Sequence, residues 1–175
     1  REGEEMVSAL VLKGFELFKG LDDGELAKIA ELCSERTLSQ GETIFSEGTR
    51  ARSLHLCRSG KVDLLIWVRE PWNRNVAVHR AEAGELFGWS AVVAPYTYTA
   101  SAECVEDGGE IRITGSALLE LFDQNPRIGF VVMKNISTDI SARLTHIRQK
   151  LSIEWLASGM PSPSSSSTCG EPKKR

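Results

Sequence analysis

Apolar positions along this chain change their period twice, from helical to alternating and back to helical. Over residues 4–19, Val7, Leu10, Val11, Phe15 and Phe18 recur near helical spacing, with Gly14 weakening a continuous helix. Asp22 or Asp23 then offers a cap for a second helix, Glu25 falls in its first turn, and Leu26, Ile29, Ala30 and Cys33 form its inward stripe. From Ser34 to Ile113 the pattern becomes short alternating runs broken by turn residues. Strands are expected at Thr37–Leu38, Thr43–Phe45, Ser53–Arg58, Lys61–Val68, Val76–Arg80, Thr99–Val105 and Glu110–Ile113. Ser59-Gly60, Pro71–Asn75 and Asp107-Gly108-Gly109 read as the turns between them. Many short strands with glycine at the corners predict a closed or sandwiched antiparallel β-structure.

Helical spacing returns after Gly115. Ser116 is the expected cap of a helix over Ala117–Asp123, and Pro126 suits the first turn of the next. That last helix carries Met133, Ile136, Ile140, Leu144, Ile147, Leu151 and Trp155 at steps of three and four, a heptad-like seam suited to a parallel dimer or to packing on its own β-domain. Beyond Ala157 the serine- and proline-rich stretch has no apolar periodicity and is expected to be a flexible tail.

Composition adds constraints. The 175 residues suit one domain with an appendage, and 41% hydrophobic with 26% charged residues is ordinary for a globular protein. A net charge of −3 argues against nucleic acid as the partner of the whole surface, without excluding one basic face. No apolar run approaches the ~20 residues of a membrane span and no signal peptide opens the chain, so a cytoplasmic protein is expected. The first residue is Arg1, which points to a start that is missing or processed. Cys33, Cys57, Cys104 and Cys169 stand singly and read as reduced thiols, and His55, His79 and His146 are isolated, so no metal site is expected.

Catalytic signals are weak. Ser90 in Gly88-Trp89-Ser90-Ala91-Val92 lacks the second glycine of a nucleophile elbow, and Gly84–Gly88 is not a dinucleotide fingerprint. The binding signal is stronger. In Gly84–Ala102 a strand runs into Gly88 and then a short apolar helix, which offers N–H groups from about Trp89 to Val92 to an anion. Ser90, Thr97 and Thr99 add hydroxyl groups.

The series Gly41-Glu42-x-Ile44-Phe45-x-Glu47-Gly48, Ser53-Leu54-x-Leu56, Ser59-Gly60-Lys61-Val62 and Gly84-Glu85-x-Phe87-Gly88 resembles the cyclic-nucleotide-binding domain of the catabolite-activator/fumarate-nitrate-regulator (Crp/Fnr) family, shared with kinase regulatory subunits and gated channels. The resemblance covers roughly Phe15 to Trp155. It implies a mainly β fold with flanking helices: an eight-stranded jelly-roll β-roll (a double-stranded β-helix), N-terminal helices and a long C-terminal helix. The implied parts are N-terminal helices over 1–33, the β-roll over 34–125 with its phosphate-binding cassette at 84–102, a dimerisation helix over 126–157 and a tail over 158–175. Cassette positions are then Glu85, Leu86, Phe87, Gly88, Trp89, Ser90, Thr97, Tyr98 and Thr99. The implied ligand is a cyclic nucleotide or another anionic small molecule, although no cofactor is certain.

Two positions depart from the family pattern. Trp89 stands where binding members carry the glutamate that holds the ribose hydroxyl. Tyr98 aligns with the arginine that pairs with the cyclic phosphate, or Thr97 does if the register slips by one. Each lost charged hydrogen bond is worth ~1.5–3 kcal/mol, so ordinary cyclic AMP or GMP binding should weaken about a thousandfold. Two compensations are conceivable. Arg50, Arg52, Arg58, Arg69, Arg74 and Arg80 cluster in the β-region, Arg80 near the cassette in sequence, and otherwise read as solvated charges. Alternatively, Trp89, Tyr96 and Tyr98 line a pocket for an aromatic or apolar ligand. No helix-turn-helix follows the long helix, so direct DNA binding is not expected. The expectation is a non-catalytic regulatory or sensor module, with a homodimer formed through 126–157. A ligand-free dimerisation or docking domain, a fragment of a Crp/Fnr-type transcription regulator, and an enzyme using the cassette pocket stay open as alternatives.

Overall fold

The computed structural model describes residues 7–157. It divides into two compact units, the first ending at Thr138 and the second beginning at Asp139. In the first unit, the N-terminal apolar stripe is broken as Gly14 foretold. A short helix α1 (Ala9–Leu12) is followed by a 3-10 turn at Glu16–Phe18 and helix α2 (Asp23–Ala30). Asp22 caps α2: its carboxylate accepts from the Glu25 N–H at 2.9 Å, while Glu25 accepts from the Asp22 N–H at 2.9 Å.

Among the described residues, six strands make one antiparallel sheet: β1 (Cys33–Leu38), β2 (Thr43–Phe45), β3 (Ser53–Val68), β4 (Arg74–Ala81), β5 (Leu86–Phe87) and β6 (Ser101–Thr114). The long strands β3 and β6 pair with each other in the centre and change outer partners along their length. The Cys33–Leu38 strand lies on the later half of β6, and β2 lies on its earlier half. On β3, His55 and Leu56 carry β5, while Val62–Val68 carry β4. This exchange of partners rolls the sheet around a core of Leu38, Cys57, Val62, Leu64, Ala81, Phe87, Ala102 and Cys104.

Two expected turns are therefore corrected. Ser59-Gly60 and Asp107-Gly108-Gly109 do not reverse the chain; they sit inside β3 and β6, where the pairing shifts register. The eight expected strands become six because each long strand is one continuous run bent at its glycines. Close approach is the reason: a Cβ on Gly108 would stand 2.1 Å from the Ser59 carbonyl oxygen. The chain does turn between β3 and β4, over 69–73; Arg74 and Asn75, expected in that turn, already belong to β4, with Val68 opposite Arg74.

Helix α3 (Gly115–Gln124) starts two residues earlier than the Ser116 cap implies; Thr114 takes the cap position without a side-chain cap bond. Helix α4 (Pro126–Ala157) begins at Pro126, as expected. Its first turns are tied to the N-terminal segment. Asn135 donates to the carbonyls of Leu17 (2.9 Å) and Lys19 (3.0 Å), Arg127 pairs with Glu25, and Ile128, Val132 and Ile136 are buried. In the second unit, Leu144, Leu151 and Ile153 are exposed. The expected tail, with Cys169, lies outside the described residues, as does the side chain of Trp155.

Candidate functional site

The 84–102 segment is anchored to the sheet at both ends. At its start, Gly84 donates to the Cys57 carbonyl and Cys57 to the Glu85 carbonyl, both at 2.9 Å, which brings Leu86 and Phe87 into the core beside β3. Glu85 is engaged locally, its carboxylate accepting from the Glu82 N–H at 3.0 Å and standing 3.3 Å from His79 Nε2. Gly88 then takes a left-handed conformation (φ 71°), and a Cβ there would stand 2.9 Å from the His55 ring. Only a side-chain-free residue lets the chain leave the strand at this point.

The expected helix after Gly88 is one 3-10 turn, Trp89–Ala91. Within it Ala91 donates to the Gly88 carbonyl (3.1 Å) and Val92 to the Trp89 carbonyl (3.0 Å), so these two N–H groups are not offered to an anion. Ser90 is buried and Trp89 half-buried. The turn abuts the start of α3: a Cβ on Gly115 would stand 2.5 Å from the Ala91 carbonyl oxygen.

At its end the segment runs antiparallel to the loop between β2 and β3. Ala51 donates to the Tyr96 carbonyl (2.8 Å) and Tyr98 to the Thr49 carbonyl (2.9 Å), which sets Arg50 opposite Thr97. Tyr98 turns inward and is 6% exposed. Its ring stacks on Phe45 with centroids 3.7 Å apart. Its hydroxyl donates to the Ser53 carbonyl at 2.8 Å and accepts from the Ser53 N–H at 3.2 Å. Thr97 is half-buried, and Tyr96 and Thr99 are exposed.

Beneath Tyr98 lies a buried polar chain that periodicity alone does not reveal. His55 Nε2 is 3.3 Å from the Tyr98 hydroxyl, and His55 Nδ1 donates to Glu110 at 2.8 Å. The second Glu110 oxygen accepts from Arg36 Nε at 2.7 Å, and Arg36 also donates to Glu42. Glu110 is fully buried. Burial alone would raise its pKa, but the hydrogen bonds and charges of His55 and Arg36 outweigh it and hold the carboxyl below the usual range. The isolated-histidine reading of His55 thus resolves as a satisfied core residue. Glu110 gave no signal of burial, because the expected turn at 107–109 put it at a strand end, near the surface.

The remaining chemistry is quiet. Burial pushes the half-buried Cys33 thiol up to about 12 and the buried Cys57 thiol to about 11, away from the reactive thiolate form. Among the described residues no cluster of metal-ligating side chains occurs, and no helix is long and apolar enough to cross a membrane. Arg80 is not at the 84–102 segment's disposal: it grips Asp63 through two bonds of 2.6 and 2.8 Å, and Arg58 pairs with Glu35.

Comparison with known proteins agrees with this architecture. Residues 35–125 match the cyclic nucleotide-binding domain family. The chain is 30% identical over 133 residues to the cyclic AMP receptor protein of Thermus thermophilus, covering 76% of this chain and 59% of that protein. It therefore spans about three-fifths of the length of this curated relative. The crystal structure of a protein described as cyclic nucleotide-binding from Geobacter metallireducens is 31% identical with a TM-score of 0.71, covering 79% of this chain and 99% of that one. The catabolite activator protein of Thermus thermophilus is 27% identical with a TM-score of 0.65, over 79% of this chain and 62% of that one. With its antiparallel roll, its glycine-spaced strands and a family match over more than half of its length, the chain belongs to the cyclic nucleotide-binding domain family.

Proposed function

We propose that this chain is a non-catalytic regulatory or sensor module whose 84–102 segment does not hold cyclic AMP or GMP in the usual way. The family is regulatory rather than catalytic. One observation carries the reading: the backbone of the segment keeps its strand, left-handed Gly88 and tight turn, while Tyr98 is committed to the roll through Ser53. Neither Trp89 nor Thr97 supplies the carboxylate or guanidinium that a cyclic nucleotide would need.

Signal would leave the site through Ala91 and Gly115. Because the Trp89–Ala91 turn abuts the start of α3, a ligand that moves the turn biases α3 and the helix that follows it.

Calorimetric titration with cyclic AMP tests the ligand reading. The native chain should show no micromolar binding, and a Trp89→Glu/Thr97→Arg variant should gain it. Tight binding by the native chain would overturn the reading. Arginine belongs at 97 in this test because a guanidinium at 98 would have to enter the buried site of the Tyr98 ring.

A homodimer through α4 is the second part of the proposal, supported by the exposed Leu144, Leu151 and Ile153. If no small molecule binds at all, those residues favour a ligand-free dimerisation or docking domain.

A further inference from the structure

We propose that Arg50, with Arg52 beside it, is the anion contact of the 84–102 site, and that the ligand presents a phosphomonoester rather than a cyclic phosphodiester. The inference rests on the ligand-sensor reading above and names the chemical class of its ligand.

The pairing of Arg50 with Thr97 is of the non-hydrogen-bonded kind, since the flanking bonds run from Ala51 to Tyr96 and from Tyr98 to Thr49. In such a pair both side chains project from the same face and lie closest together. Arg50 therefore stands beside Thr97, one of the two positions aligned with the family's phosphate-binding arginine. Exposure alternates along the loop: Arg50 is out, Ala51 is buried, and Arg52 is out again. Two guanidinium groups thus share one face, their Cα atoms about 6–7 Å apart along an extended chain. Arg52 is also held in place, because its carbonyl accepts from Gly115 N–H at 2.8 Å.

Both charges are uncommitted. Arg36, Arg58, Arg80 and Arg127 each have a carboxylate partner, whereas Arg50 and Arg52 have none among the described residues. A single guanidinium fork satisfies two oxygens. Two forks converging on one group suit the three terminal oxygens of a phosphomonoester, while a cyclic phosphodiester offers two. Since both arginines are exposed, the attraction is screened by salt.

The test is calorimetry of the native chain with inorganic phosphate, 5′-AMP and cyclic AMP at low and high salt, repeated on Arg50→Ala/Arg52→Ala. The Arg50→Lys/Arg52→Lys variant keeps charge without the fork, and Arg69→Ala/Arg74→Ala removes two exposed arginines at the β3–β4 turn. The proposal expects 5′-AMP to bind more tightly than cyclic AMP and to weaken with salt. Affinity should fall at least about tenfold in the alanine pair, fall less in the lysine pair, and stay unchanged in the Arg69/Arg74 control. Binding of 5′-AMP that is indifferent to Arg50 and Arg52, or a preference for cyclic AMP, overturns this inference and leaves a ligand sensor standing. A native chain that binds none of the three probes removes the sensor reading as well.

Discussion

The hydroxyl of Tyr98 donates to the carbonyl of Ser53 at 2.8 Å, which ties the end of the 84–102 segment to the roll. Ring stacking on Phe45 fixes the same side chain from the other side. Tyr98→Phe keeps the stack and removes the bonds to Ser53. It should destabilise the protein by about 1–2 kcal/mol, read as a lower urea midpoint with an unchanged slope. Tyr98→Ala should cost more, about 3–5 kcal/mol, because the ring's volume is lost too.

Glu110 should confer acid sensitivity. Its carboxyl is held below the usual range in the folded state, so the unfolded chain binds the proton first as pH falls. The stabilisation is fully present above about pH 4.3 and is lost as pH drops through the folded value. Denaturant unfolding between pH 7 and pH 3 should show this slope in the native protein and a shallower one in Glu110→Gln. Identical slopes would mean that the Glu110 carboxyl titrates alike in the folded and the unfolded chain.

Gly88→Ala combines a left-handed backbone with a Cβ 2.9 Å from the His55 ring. A loss of about 1–3 kcal/mol in thermal or urea unfolding is expected, with amide shifts centred on Phe87–Ser90. A neutral substitution would show that this turn can open without disturbing the sheet.

Coupling between the segment and α3 has its own test in Gly115→Ala. A Cβ at 115 meets backbone atoms of Ala91, which cannot swing aside as a side-chain tip could. Amide resonances of residues 88–92 should shift and stability should fall by about 1–3 kcal/mol. Shifts confined to 113–118 would argue against the route from the turn to the helix.

Sedimentation at increasing concentration tests the helix seam. The native chain should dimerise, and Leu144→Glu/Leu151→Glu should remain monomeric with an unchanged melting profile of the β-domain. A monomeric native chain would instead assign Leu144 and Leu151 to some other surface role.

Local patterns alone determined a great deal about this protein. Helical and alternating periods located the flanking helices and the β-region, Asp22 or Asp23 with Glu25 in the first turn marked the start of the second helix, and Pro126 marked the start of the last helix. These features are legible because each depends on residues within a few positions of one another. The family pattern likewise survives in glycine spacing, since left-handed turns are local demands on the backbone.

Tertiary structure decided what depends on partners far apart in the chain. Gly60 and Gly108 carry the signals of turns, yet they are points where two long strands approach each other. Glu110 is buried only because Arg36 and His55, 74 and 55 residues away, converge on it and stabilise its charge. The seam read as one stripe also divides: Ile136 is buried in the first unit, whereas Leu144 and Leu151 are exposed in the second. Most telling is Arg50, one of six arginines between positions 50 and 80, which cross-strand pairing alone sets beside Thr97. Periodicity states which face a side chain occupies; only the folded sheet decides what stands opposite it.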